Sequence, residues 1–329
     1  MAAFDAAADE RELIELLLVD GVDVQSRDLQ GRTYLSTMAT LLRRSTDVSY
    51  LSALVTQPTQ SRLGFYLRAF TVQFRASVAV QLEYRAAQVI WLLFFVLQPV
   101  MYLSIWSAVA RSNDGLVGGY APQDFAAYFL ATMWIIHLTF NGVLVFFEAR
   151  VRRGDFSALL LRPIHPISAD VADNLAYKAI TMPLLGLATV LLIVAFKPRF
   201  EPSGFALVAF VPALLLAFIV RFVNSWTVAL AAFWLTRTSA VTQGYLLLVL
   251  FLGGQAAPLS LLPGWVQTVA WWSPFRWILA FPAELVLGKL APDEIWTGLG
   301  MQVLWTFLSI AVLAQSWRAA ARRYSAVGG

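Results

Sequence analysis

The stretch FALVAFVPALLLAFIVRFVNSWTVALAAFWL, Phe205 to Leu235, runs for 31 residues with one ionisable side chain, Arg221. A helix rises about 1.5 Å per residue, so about 20 apolar residues cross about 30 Å of hydrocarbon. This stretch therefore reads as a transmembrane helix. Working outward, five more stretches qualify: Ala86–Ala110, Phe125–Phe147, Ala172–Phe196, Ala240–Leu261 and Ile295–Trp317. Composition agrees, since 59% of the 329 residues are hydrophobic and only 13% are charged, against about 25% charged in a soluble domain. Disorder is excluded by the apolar content, and a disulfide scaffold by the lack of cysteine. The fold class is an all-α polytopic membrane protein with six transmembrane helices.

Charge marks the first boundary. Residues 1–60 hold 5 Lys+Arg and 9 Asp+Glu, whereas residues 61–329 hold 19 and 11. This acidic N-terminal extension is not a signal peptide, because Met1 to Glu10 has no basic stretch and Leu13–Val19 is short and flanked by acids. Within it, Glu12 to Gly21 reads as a helix with a glycine C-cap, followed by a turn at Asp28 to Thr33. Residues 11–42 resemble the junction between two ankyrin repeats, yet no second complete repeat follows, and a solenoid needs about three units. A docking fragment and a vestigial extension are both open readings, as is whether Met1 is the true start.

A seventh apolar run, Trp265–Gly288, carries Pro274, Arg276, Pro282 and Glu284 in its interior. Proline removes a helical hydrogen bond, and a charge at mid-bilayer costs about 2.5–3.5 kcal/mol. It reads as two half-helices broken at Ser273-Pro274, a re-entrant element over 263–290 between the fifth and sixth spans. Topology supports this. With six spans, twelve arginines fall on one side, among them Arg150, Arg152, Arg153 and Arg162, against five basic residues on the other. The positive-inside rule then puts both termini in the cytoplasm, including a tail at 318–329.

Before the first span, residues 61–85 mix Phe65, Leu67, Phe70, Phe74, Val78 and Val80 with Arg68 and Arg75, seven apart and so on one helix face. This suits an interfacial helix in the cytoplasmic headgroup layer; a helix packed on the N-terminal extension is the other reading. In the loop 148–170, Arg152, Arg153 and Gly154 lead from the span into Asp155, and Phe156, Leu159 and Leu160 stand at i, i+3, i+4 before Arg162-Pro163. A short amphipathic helix whose apolar side faces away from the span requires a cover, and another protein supplies one in helix-in-groove fashion. A loop whose side chains snorkel into lipid fits the same pattern equally well.

Residues 62–324 resemble a permease subunit of the type-two ATP-binding cassette (ABC) exporters. Three motifs carry the likeness: Glu83-Tyr84-Arg85 at the mouth of the first span; Arg153-Gly154-Asp155-Phe156 through Leu160-Leu161-Arg162-Pro163-Ile164; and Pro258 to Leu262-Pro263-Gly264-Trp265 with Ser273-Pro274-Phe275. The second resembles the family's coupling helix and the third its outer re-entrant element. Spacing and the Arg-Pro ending look most like the paired permeases of multidrug or viologen-type efflux. Ser157 departs from the family, which commonly has a carboxylate there, and Asp155 lies two positions earlier.

The resemblance implies ATP-driven export of a small molecule, drug-like, lipid-like or cationic, across the bacterial cytoplasmic (inner) membrane. No Gly-x-x-x-x-Gly-Lys-[Ser/Thr] occurs, and Gly288-Lys289 is followed by Leu290. ATP and magnesium are therefore expected on a separate ATPase, present in two copies, and no cofactor on this chain. A second permease, identical or homologous, is implied because six spans make half a pore. No nucleic-acid partner and no enzymatic activity are expected.

Candidate pathway or interface groups are Arg221, with Asn224 a turn on, and His137 with Asn141 at i, i+4, since intramembrane polar groups are functional candidates. Helix bridging is the plainer role for each. Trp265, Trp271, Trp272, Phe275 and Trp277 read as an outer aromatic belt, with cation–π contact to a cationic cargo as the alternative. The competing class is a secondary transporter or channel. Against it, no Asp or Glu lies centrally in the six spans, no inverted repeat is visible, and two histidines without cysteine make no metal cluster.

Overall fold

The computed structural model describes residues 62–160 and 164–323, and its named elements are all helical. The chain is an all-α multi-pass membrane protein. The acidic extension, Arg162, Pro163 and the end of the tail lie outside the described residues.

Helix α1 (Arg62–Glu83) and α2 (Arg85–Ser112) meet at Tyr84. From Ala69 onward, α1 turns Ser77 and Gln81 inward and leaves Arg75, Val72 and Val80 exposed. The second span is two helices, α3 (Pro122–Thr139) and α4 (Val143–Arg152), joined by Phe140-Asn141-Gly142. A continuous helix over Phe125–Phe147 was expected; the break falls where a β-branched threonine, an asparagine and a glycine adjoin, three weak helix formers. A six-residue helix α5 (Asp155–Leu160) follows. Next come α6 (Ile167–Phe196), which ends on Lys197 in the left-handed conformation, and α7 (Gly204–Ala229), whose N-cap Ser203 Oγ accepts from the Ala206 amide at 3.1 Å.

Helix α8 (Ser239–Leu252) has 14 residues, about 21 Å. The stretch Ala240–Leu261 is thus not one helix; the chain turns at Gly253 and Gly254, the latter at φ 80°. After a 3₁₀ turn at Leu259–Leu261 come three short helices, α9 (Gly264–Trp271), α10 (Pro274–Ile278) and α11 (Ala280–Leu287). Two half-helices were expected. Pro274 at the first helical position makes the foreseen break, and Leu279 adds a second. The last helix, α12, is Pro292–Arg323.

Five segments are long and apolar enough to cross a membrane: Ala86–Ser112, Pro122–Arg152, Ile167–Phe196, Gly204–Phe233 and Pro292–Arg323. The second is 61% buried and the third 11%, so the broken span lies at the centre of the bundle. Alanines 206, 209, 213 and 217 of α7 are buried at helical spacing, a small-residue face that lets another helix approach closely. On α12, Gly298 meets Phe281 so tightly that an added Cβ would sit 2.0 Å from the ring. Gln302 closes this contact, donating to the Ala213 carbonyl at 3.0 Å and the Trp277 carbonyl at 2.7 Å.

Candidate functional site

The break in the second span frees backbone acceptors inside the bundle, and two cations are drawn to it. Arg221 on α7 donates from Nη1 to Thr139 Oγ1 at 2.9 Å; that hydroxyl donates in turn to the Ile135 carbonyl at 2.7 Å. Lys178 on α6 donates to the Phe140 carbonyl at 2.9 Å and to Asn174 Oδ1, and lies 5.2 Å from the centre of the Phe218 ring. Asn174 Nδ2 donates to the same Phe140 carbonyl at 2.8 Å. Both cations are buried, at 5% and 6% exposure, and no ion pair to either occurs among the described residues. A kink without proline thus has its open carbonyl satisfied from neighbouring helices, as hydrocarbon requires.

The sequence pairing of His137 with Asn141 does not survive as a shared helix face, because α3 ends between them. His137 points to α6, with Nε2 3.0 Å from Thr181 Oγ1. Thr181 gives its proton to the Tyr177 carbonyl at 2.7 Å, so His137 Nε2 donates and its buried Nδ1 is an unmatched acceptor. Asn141 turns to α7 and donates to Ser225 Oγ at 3.2 Å. Asn224 stands apart from Arg221, its buried Nδ2 meeting no acceptor among the described residues. Lys178 was missed because one lysine in a 30-residue apolar run barely moves a hydropathy average. Its one sequence signal was the intramembrane charge itself.

Arg221 also opens on a lateral groove of about 330 Å³ walled by α2, α3 and α8, with Trp91, Phe95, Leu246 and Leu250 on its sides. Toward the loop 148–170, a cavity of about 610 Å³ is lined by Arg150, Arg153, Asp155 and Asp170. Arg150 pairs with Asp170 at 2.8 Å, Arg152 with Glu148 at 3.6 Å and Arg153 with Asp155 at 3.0 Å. Glu148 Oε2 also accepts from the Thr238 amide at 2.8 Å, tying the start of this loop to the turn before α8.

Within α5 the apolar side faces the opposite way from expectation. Phe156 is fully buried, its ring 5.1 Å from Phe147 and 5.4 Å from Phe233, and Leu159 packs beside it. An amphipathic pattern gives a helix an apolar side but not a direction, and here the protein's own aromatics take it. Leu160, 38% exposed, stays outward. Gly154, at φ 79°, supplies the left-handed turn between α4 and α5.

In the segment 263–290, read from the sequence as re-entrant, Pro263 precedes α9, and Arg276 Nη2 donates to Glu284 Oε2 at 2.9 Å. The guanidinium lies 5.3 Å and 5.6 Å from the rings of Trp271 and Trp277. Glu284 lies in α11, outside the five spans; burial outweighs Arg276 and raises its carboxyl to about 6. The aromatic belt divides. Trp265 and Trp272 are exposed, whereas Trp277 is core, donating its indole N–H to the Trp271 carbonyl at 3.1 Å.

With this geometry in place, comparison with protein families matches residues 94–328 to the ABC-2 family transporter protein. The chain belongs to the ABC-2 transporter family. It is accordingly a transmembrane ABC transporter permease, a transport component of the membrane, and the match takes in Arg221, Lys178, α5 and the short helices α9 to α11. Comparison with curated proteins finds no match.

Proposed function

We propose that this ABC-2 permease is one half of an exporter driven by a separate ATPase, and that α5 with its flanks (Arg152, Arg153, Gly154, Asp155, Phe156, Leu159, Leu160, Arg162, Pro163) couples the two. The observation that carries this is α5 itself. Phe156 keys it into the aromatic cluster of α4, α7 and α12, while Leu160, Arg152 and Arg153 face outward. Force applied to a short helix so anchored passes to three helices at once. The ATPase, in two copies, holds ATP and magnesium; a second permease, identical or homologous, completes the pathway. α8 serves as a short fifth span, with residues 263–290 re-entering from the outer face. Both termini then face the cytoplasm of a bacterial inner membrane, as the arginine distribution favours.

Leu160→Asp tests the coupling. In the complex purified with its ATPase, the variant is expected to assemble while losing transport-linked ATP hydrolysis by about tenfold or more, because a charge replaces an apolar anchor at the contact. Normal transport by the assembled variant would exclude α5 as the coupling element.

A further inference from the structure

Arg221 has five N–H donors, and among the described residues one of them finds an acceptor, Thr139 Oγ1. The side chain is 5% exposed and lines the lateral groove. No carboxylate lines that groove. Behind Arg221, the Lys178 amine meets the adjoining residue, Phe140, and donates to its carbonyl and to the Asn174 amide oxygen, leaving no acceptor there for Arg221. A guanidinium with no ion-pair partner among the described residues sets up a positive potential in a low-dielectric bundle, and its open end is the free side of the group. A guanidinium matches planar or tetrahedral oxyanions with paired, charge-assisted hydrogen bonds. Beyond the neutral amides of Gln98, Gln243 and Gln255, the remaining walls, among them Trp91, Phe95, Leu246 and Leu250, are apolar. They fit a hydrocarbon body.

From this we infer that the groove binds an anionic amphiphile, a phosphate, sulfonate or carboxylate on an apolar body, with Arg221 as the headgroup receptor. The inference rests on the permease reading only for its consequence, that the exported substrate is of this class. A cationic cargo, as the likeness to viologen-type efflux implies, would meet repulsion here.

The full chain in phosphatidylcholine nanodiscs is titrated with dodecyl phosphate and, separately, dodecyltrimethylammonium. Saturable binding of the phosphate is expected, weakened about tenfold or more in Arg221→Gln and kept within about threefold in Arg221→Lys. Gln243→Glu, at an exposed position of the groove wall, supplies a variant that leaves the buried contacts alone. It is expected to weaken phosphate binding and to gain affinity for the ammonium. Equal or tighter binding of the ammonium to the native protein, or native affinity for the phosphate in both Arg221→Gln and Gln243→Glu, overturns the site. Added phosphatidylglycerol distinguishes the sources of the anion. Loss of dodecyl phosphate binding by competition assigns the groove to bilayer lipid; persistent binding that stimulates the ATPase complex assigns it to cargo. Because the titration needs no ATPase, an intact anion site in a chain that shows no ATP-dependent transport would refute the coupling proposal alone.

Discussion

In the short helices between α8 and α12, Arg276 lies part-buried 2.9 Å from Glu284, beside two tryptophan rings. Midway along the bundle Arg221 and Lys178 are buried more deeply and, among the described residues, have only a hydroxyl, a carbonyl, an amide and a ring. The first arrangement is electrically closed, a carboxylate answering a guanidinium within eight residues of chain. The second is open and keeps its charge. A structural ion pair wants neutrality, since removing one partner strands the other. A site that must attract something from outside keeps a net charge.

The largest effect expected on this contrast comes from Glu284→Ala. Breaking a fully buried pair costs about 3–5 kcal/mol, and this part-buried one falls toward the lower end, so the detergent-solubilised variant should show a clearly lower unfolding temperature, with Glu284→Gln much milder because it can still accept from Arg276. Lys178→Met should cost less, about 1–3 kcal/mol, the usual loss when a buried carbonyl gives up one donor, here with Asn174 still donating to Phe140. Arg221→Gln should be mildest of the three, about 1 kcal/mol for one hydrogen bond, while changing anion binding most. Equal destabilisation by Arg221→Gln and Glu284→Ala would erase the contrast.

A pH titration sharpens it further. Glu284 titrates near 6 in the folded protein, above the usual 4.5, so the folded state holds the proton more tightly. Its contribution to stability is present below pH 4.5 and is lost as pH rises through about 6. The unfolding midpoint should decline gently over that window and level off above it. That slope should vanish in Glu284→Gln.

Much of this arrangement was legible in the sequence, and what was not has physical causes. Long apolar runs declared the spans, and Ser273-Pro274 declared a break because proline acts locally. The kink at Phe140 to Gly142 has no proline; it persists because Lys178 and Asn174, more than 30 residues away, take up the freed carbonyl. The shortness of α8 likewise depends on a distant group, the Tyr128 hydroxyl, which donates to the Gly254 carbonyl at 2.6 Å. Phe156 reads from the sequence as part of an apolar helix face, but the direction of that face is a property of the aromatic pocket formed by Phe147, Phe233 and Trp317. Contacts across the chain fix directions, and spacing along it cannot.

Gln302 bears on the order in which the protein is made. Its side-chain amide reaches the Ala213 and Trp277 carbonyls, both of which leave the ribosome earlier than α12. Until the last helix inserts, neither carbonyl has that donor and Phe281 has no Gly298 to lie against. Helix α12 is thus the one that locks the fourth span to the short helices before it, so a nascent chain stopped before Pro292 presents quality-control proteases with an unlatched bundle.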